Sequence, residues 1–155
     1  MRLEMKKVFF LMISAAVLFC SCSEYAEPNV AGLMSDIMSQ QDVVEPTDAT
    51  FDEIGIIFDI DTSTLEDCAV CYSGSGGYAD MAAIFKLRSE SGVQELEQKL
   101  KDYIAARYED FKGYAPIEAD KIENGRVIVR GRYLILAILP DISLAQQTID
   151  TAFEA

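Results

Sequence analysis

Between residues 126 and 139 (RVIVRGRYLILAIL) apolar side chains run almost unbroken for the length of a strand, and the pattern elsewhere is arranged around that stretch. β-Branched and aromatic residues dominate positions 127–129 and 133–139, and Gly131 between them can take the positive φ of a tight turn. The pattern predicts a hairpin at the centre of a sheet. Its second strand is apolar on both faces, with Tyr133, Ile135, Ala137 and Leu139 on one and Leu134, Leu136 and Ile138 on the other. Each face therefore needs a cover. As a helix the run is too short to cross a bilayer, which takes about 20 apolar residues.

Earlier in the chain, Val30, Leu33, Met34, Ile37 and Met38 recur at helical spacing and predict a first amphipathic helix of about 11 residues. Residues 40–48, with Pro46 and several acids, read as loop. Thr50 followed by Glu53 is a capping-box pattern ahead of Phe51, Ile54, Ile57 and Phe58, which predicts a short second helix weakened by Gly55. Asp61 or Thr62 then starts a further turn of helix reaching Asp67.

Residues 68–73 and 80–87 read as two strands joined by SGSGGY. Ser91 opens the longest helix, with Val93, Leu96, Leu100, Tyr103, Ile104, Tyr108 and Phe111 in one stripe and Lys112-Gly113 as its stop. A connector follows, from Tyr114-Ala115-Pro116 to Glu123-Asn124-Gly125. After the 126–139 hairpin, Pro140 breaks the strand, and a last helix over 142–153 is capped by Asp141 or Ser143. From residue 68 onward the order is strand, strand, helix, strand, strand, helix. The fold class that follows is α+β: a two-layer arrangement of a four-stranded antiparallel sheet from two ββα units, with the two N-terminal helices over an edge or the other face.

The first 21 residues stand apart from this domain. Arg2, Lys6 and Lys7 form a basic start, residues 8–19 an apolar core of signal-peptide length, and Ser21 a small residue before Cys22. The layout is that of a lipoprotein signal and predicts lipidation of Cys22, although Phe19 and Cys20 depart from the usual residues there. The expected organisation is a signal over 1–21, a tether over 22–29 and one domain over 30–155, held on the extracytoplasmic face of the membrane by the N-terminal lipid.

Charge narrows the partners. Loss of the leader, with its three basic side chains and one acid, takes the net charge from −13 to −15. Residues 22–85 hold thirteen Asp or Glu and no Lys or Arg. Such a surface repels nucleic acid and anionic head groups, leaving another envelope protein or a wall component as expected partners.

Candidate chemistry is sparse. Cys68-Ala-Val-Cys71 has the spacing of a redox pair, but in a strand positions i and i+3 face opposite sides about 10 Å apart, out of reach of a disulfide. Buried, unpaired thiols are the expectation. The carboxylates at 59, 61, 66 and 67 fail the calcium-loop pattern, because Thr64 and Val70 stand where Gly and Glu belong. SGSGG lacks the Lys-Ser/Thr ending of a phosphate loop. With no histidine, the commonest general base is missing, so neither a catalytic residue, a metal nor a cofactor is expected. Tyr72, Tyr78, Tyr114 and Tyr133 fall near turns, and Arg126, Arg130 and Arg132 flank the hairpin. Of these, Tyr78, Tyr114, Arg130 and Arg132 are the candidates for a surface that takes an anionic or sugar ligand or a partner.

Ala82-Ala83-Ile84-Phe85-Lys86, Tyr114 with Pro116, and Gly131 with Tyr133, taken with the leader and the closing helix, give the chain its family likeness. It resembles domain of unknown function 4358, a family of small bacterial lipoproteins found mainly in Gram-positive bacteria, over most of the mature chain. The resemblance implies localisation and fold and carries no catalytic residue. Cys68 and Cys71 are not part of its pattern. Function is thus expected to be that of a non-catalytic binding or interaction module in the cell envelope. The competing class is an extracytoplasmic enzyme or thiol-redox protein using carboxylates or the Cys68/Cys71 pair.

Overall fold

The computed structural model describes residues 26–154, so the leader, Cys22 and the first part of the tether lie outside the described residues. Five helices and five strands follow one another as α1 (Val30–Met38), β1 (Pro46–Asp48), α2 (Phe51–Phe58), β2 (Leu65–Ser73), β3 (Met81–Leu87), α3 (Val93–Phe111), α4 (Pro116–Glu123), β4 (Arg126–Arg130), β5 (Tyr133–Ile138) and α5 (Ile142–Glu154). The strands form one antiparallel sheet in the order β1-β2-β3-β5-β4.

The alternation along β3 and β5 sorts two cores. Ala83, Phe85, Leu134, Leu136 and Ile138 face α2, α3 and α4, packing on Ile54, Phe58, Leu100, Phe111 and Ile122. Ala82, Ile84, Ile135 and Ala137 face α1 and α5, packing on Leu33, Ile37, Ala145, Ile149 and Phe153. Both middle strands are buried throughout except Lys86. The α+β class stands, but helices cover both faces and the two layers expected become three. The physical reason is the double-sided apolar character of β3 and β5, which no single helical layer can satisfy.

Four further expectations are corrected. The sheet has five strands, because Pro46–Asp48 pairs with the end of β2 at Pro46↔Ser73, Thr47↔Tyr72 and Asp48↔Cys71. This strand is exposed throughout and begins with proline, as edge strands tolerate, so it carries no apolar alternation to betray it. Gly74 makes room for it: a Cβ there would sit 2.7 Å from Thr47 Oγ1. Second, the connector contains α4, entered by Pro116 in its first turn. That helix separates α3 from β4, and α3 and α5 lie on opposite faces, so the ββα units are not equivalent copies. Third, the hairpin is not central as a whole. β5 is interior while β4 is an edge. Fourth, the helical turn expected through Asp67 stops at Thr64, and β2 already begins at Leu65.

Local signals elsewhere are realised in full. Thr50 and Glu53 make the capping box, with Glu53 N–H donating to Thr50 Oγ1 at 3.4 Å and Thr50 N–H donating to Glu53 Oε2 at 2.7 Å. Leu144 N–H donates to Asp141 Oδ1 at 2.9 Å, which caps α5. Gly131 has φ +54° in the β4–β5 turn.

Candidate functional site

An open cleft of about 610 Å³ lies at the end of the sheet where β2 turns into β3. Three elements wall it. Helix α2 supplies Glu53, Ile56 and Ile57; the β2–β3 hairpin supplies Tyr72, Tyr78, Met81 and the glycine-rich loop; the C-terminal half of α3 supplies Tyr103, Arg107, Asp110 and Phe111, with Tyr114 just beyond it. Five of the lining residues are aromatic, and the rim stays in solvent: Ile56 is 81% exposed, Tyr114 62% and Tyr78 40%.

The floor is braced from below. Tyr103 packs on Phe58 with centroids 4.9 Å apart, Phe58 stands edge-on to Phe85 of β3 at 5.1 Å, and Phe111 lies against Tyr114 at 5.1 Å. Burial raises the Tyr103 phenol pKa, with only a weaker downward pull from Arg107. It therefore stays protonated and able to donate a hydrogen bond at neutral pH.

Arg107 is the unusual member. Its guanidinium carbon lies 4.7 Å from the Phe111 ring centroid, and its Nε is buried with no hydrogen-bond partner among the described residues. Of the cleft's two carboxylates, Glu53 is already engaged, since the backbone N–H and hydroxyl of Thr50 both donate to Oε2 at 2.7 Å. Those bonds hold its pKa below the usual carboxylate value.

A part-buried ionic triad holds the outer wall in place. Asp80, 2% exposed, meets Lys121 Nζ at 2.5 Å, and Lys121 also meets Glu118 Oε2 at 2.9 Å. Ala79 N–H donates to the same Glu118 oxygen at 2.7 Å. The three side chains fasten α4 to the start of β3 next to Tyr78. Burial pushes the Asp80 carboxyl up despite the opposing lysine. Burial alone would lower Lys121, but the hydrogen bonds it donates to Asp80 and Glu118 outweigh it and raise its pKa.

The four surface candidates part company here. Tyr78 and Tyr114 line the cleft together. Arg130 instead pairs with Asp150 at 2.6 Å, and Arg132 with Glu66 at 2.5 Å and Glu27 at 2.8 Å. Lys86 joins this second cluster, reaching Glu66 at 2.7 Å and Glu27 at 2.8 Å, and the Tyr133 hydroxyl donates to Pro28 O at 2.9 Å. These contacts stitch the end of the tether to the sheet at the opposite end of β2 and β3 from the cleft. Arg107 and Ile56 carry no signal in the apolar pattern, and Tyr103 and Phe111 read from it only as core positions of the long helix. The available signal was Arg107 itself, a charge set between Tyr103 and Phe111 at i, i+4 and i+8 on an otherwise apolar helix stripe.

The cysteines sit as strand geometry requires. Cys68 packs toward the α2/α3 core and Cys71 toward the α1/α5 core, and both are free thiols. Burial, then a hydrogen bond to Asp48, pushes Cys71 up to about 11; burial followed by Asp67 raises Cys68. A reactive thiol needs the opposite shift. Among the described residues no group of three Cys, Asp or Glu is placed to hold a metal ion, and no helix is long and apolar enough to cross a membrane.

Fold and site together define an α+β domain of helices on both faces of an antiparallel sheet, with an open tyrosine-lined cleft at one sheet end. The chain belongs to the family described as Domain of unknown function (DUF4358), which matches residues 39–139. No curated protein and no solved structure matches it. The matched span begins after α1 and ends before α5, so it holds the whole sheet and every residue that lines the cleft.

Proposed function

We propose that the protein is a non-catalytic binding module, anchored through a lipid on Cys22 to the extracytoplasmic face of the membrane, that holds a component of the cell wall in the tyrosine-lined cleft. One observation carries the reading: five aromatic rings and an arginine line one open cavity whose volume falls in the range of ligand pockets, about 300–1,000 Å³. The leader supports the location, and the acidic surface argues against nucleic acid as the occupant.

The chain has no tryptophan, so ligand binding reads out directly in tyrosine emission. Titration of the purified protein with a muramidase digest of cell wall is expected to give a saturable change that is lost in the double variant Tyr78→Ala/Tyr114→Ala. An unchanged emission in the native protein, or an undiminished response in the variant, refutes the cleft as the site. Anchoring is tested separately. Cells fed a palmitate analogue should label the native chain and not Cys22→Ala.

A further inference from the structure

Resting on the cleft reading above, we infer that the cleft is built for a sugar ring that carries a single carboxylate, with Arg107 receiving the acid group and the tyrosines receiving the ring. The argument begins with what the cleft leaves unsatisfied. Arg107 lines the cleft, its Nε is buried without a partner, and among the described residues its guanidinium forms no ion pair, so a bound carboxylate would meet a cation that nothing else in the cleft neutralises. The guanidinium carbon rests 4.7 Å from the Phe111 ring centroid, and the planar guanidinium fork matches a carboxylate in two hydrogen bonds.

The ring follows from the walls. Tyr72, Tyr78, Tyr103 and Tyr114 each combine a flat apolar face with a hydroxyl that forms no hydrogen bond among the described residues, whereas the Tyr133 hydroxyl, outside the cleft, is used on Pro28. A sugar presents the complement, with C–H groups for the faces and hydroxyls for the phenols. An extended peptide added to the sheet is a poorer match. The strand residues at the cleft, Tyr72, Ser73 and Met81, belong to β2 and β3, which already have neighbours on both sides and offer no free edge.

The charge count limits the acid to one. With a net charge of −13 over the whole chain and Asp110 also on the lining, every carboxylate beyond the one on Arg107 meets nearby negative charge and no cation on the lining to offset it. A lone carboxylate feels chiefly the arginine it touches, because other charges are screened over about 8 Å.

Two disaccharides with the same pair of rings separate the acid from the ring: N-acetylglucosaminyl-N-acetylmuramic acid, whose lactyl ether carries one carboxylate, and di-N-acetylchitobiose, which lacks that ether and has none. The acidic sugar is expected to bind the purified protein at least tenfold more tightly. Arg107→Gln should remove that difference, a roughly ten- to hundredfold loss for the acidic sugar alone, and Arg107→Lys should restore part of it. Unchanged thermal unfolding of the variants keeps the comparison clean. If unfolding shifts, the same preference measured on native protein against the methyl ester of the acidic sugar decides instead. Equal affinity for the two sugars overturns the carboxylate inference and leaves the cleft reading standing. Binding of free stem peptide with neither sugar bound overturns it too, and assigns the cleft to peptide. No response to sugars, peptide or whole wall digest refutes inference and cleft reading together.

Discussion

Glu66 shows how much a single residue can report about this protein. Hydrogen bonds from Lys86 and then Arg132 hold its carboxyl down at about 2, and the same two cations lower Glu27. A carboxylate whose folded pKa lies below its unfolded value adds stability above the unfolded value, near 4.5, and loses it as pH falls toward the folded one. Urea midpoints should therefore drop between pH 4.5 and 2 in the native chain, and drop less in Glu66→Gln. Lys121 is more deeply placed than any other lysine of an ion pair save Lys86 and faces the buried Asp80, so Lys121→Met should cost about 3 kcal/mol by stranding that carboxylate. The exposed Lys101→Met should cost little, and chemical denaturation of the two variants tests the contrast. Cys68→Ala and Cys71→Ala are packing changes of about 1 kcal/mol each, and alkylation of the denatured, unreduced protein should modify both thiols. At this scale the sequence was readable where a residue's role is local. The Thr50/Glu53 box and the Asp141 cap needed only spacing, as did the opposite facing of the two cysteines. Arg107 was not, because its meaning depends on Phe111 below it and on the hairpin opposite.

Elements were legible in proportion to how much apolar pattern they carry. β3, β5, α1, α3 and α5 announce themselves because one or both faces are buried. β1 and α4 do not. The first is three exposed residues whose place is set by backbone pairing to β2, and the second buries only Ala119 and Ile122. Both nevertheless matter to the cleft, since β1 braces the strand end that carries Tyr72 and α4 fastens Ala79 and Asp80 beside Tyr78. Gly74→Ala should push Thr47 away and unpair β1, seen as faster amide exchange at residues 46–48 and 71–73 while exchange in β5 holds. Thr50→Ala should cost about 1 kcal/mol and loosen α2, the wall that presents Ile56, so ligand affinity and stability should fall together in that variant.

For the whole molecule the decisive fact is that β3 and β5 are shared by two cores. Leu100→Ala weakens one face and Ile149→Ala the other, each by roughly 2–5 kcal/mol as the gap relaxes, yet neither core can melt without exposing the strands of both. Calorimetry of either variant should show one transition at lower temperature; two resolved transitions would contradict a common sheet. The stitching of the tether by Lys86, Arg132 and Tyr133 has a further outcome at this scale. Glu27 lies five residue steps after Cys22, and no backbone stretches five steps beyond about 18 Å. The leash from the lipid proposed on Cys22 would thus be short, and it would end on the sheet at Glu66 and Lys86. Along β2, six residues of strand, about 20 Å, then carry the chain from Glu66 to Tyr72 at the cleft. Under the anchoring proposed above, such a mooring makes the protein a short mast: the end of the sheet at Glu66 and Lys86 is the end tied toward the bilayer, and the cleft is the end farthest along the strands from that tie.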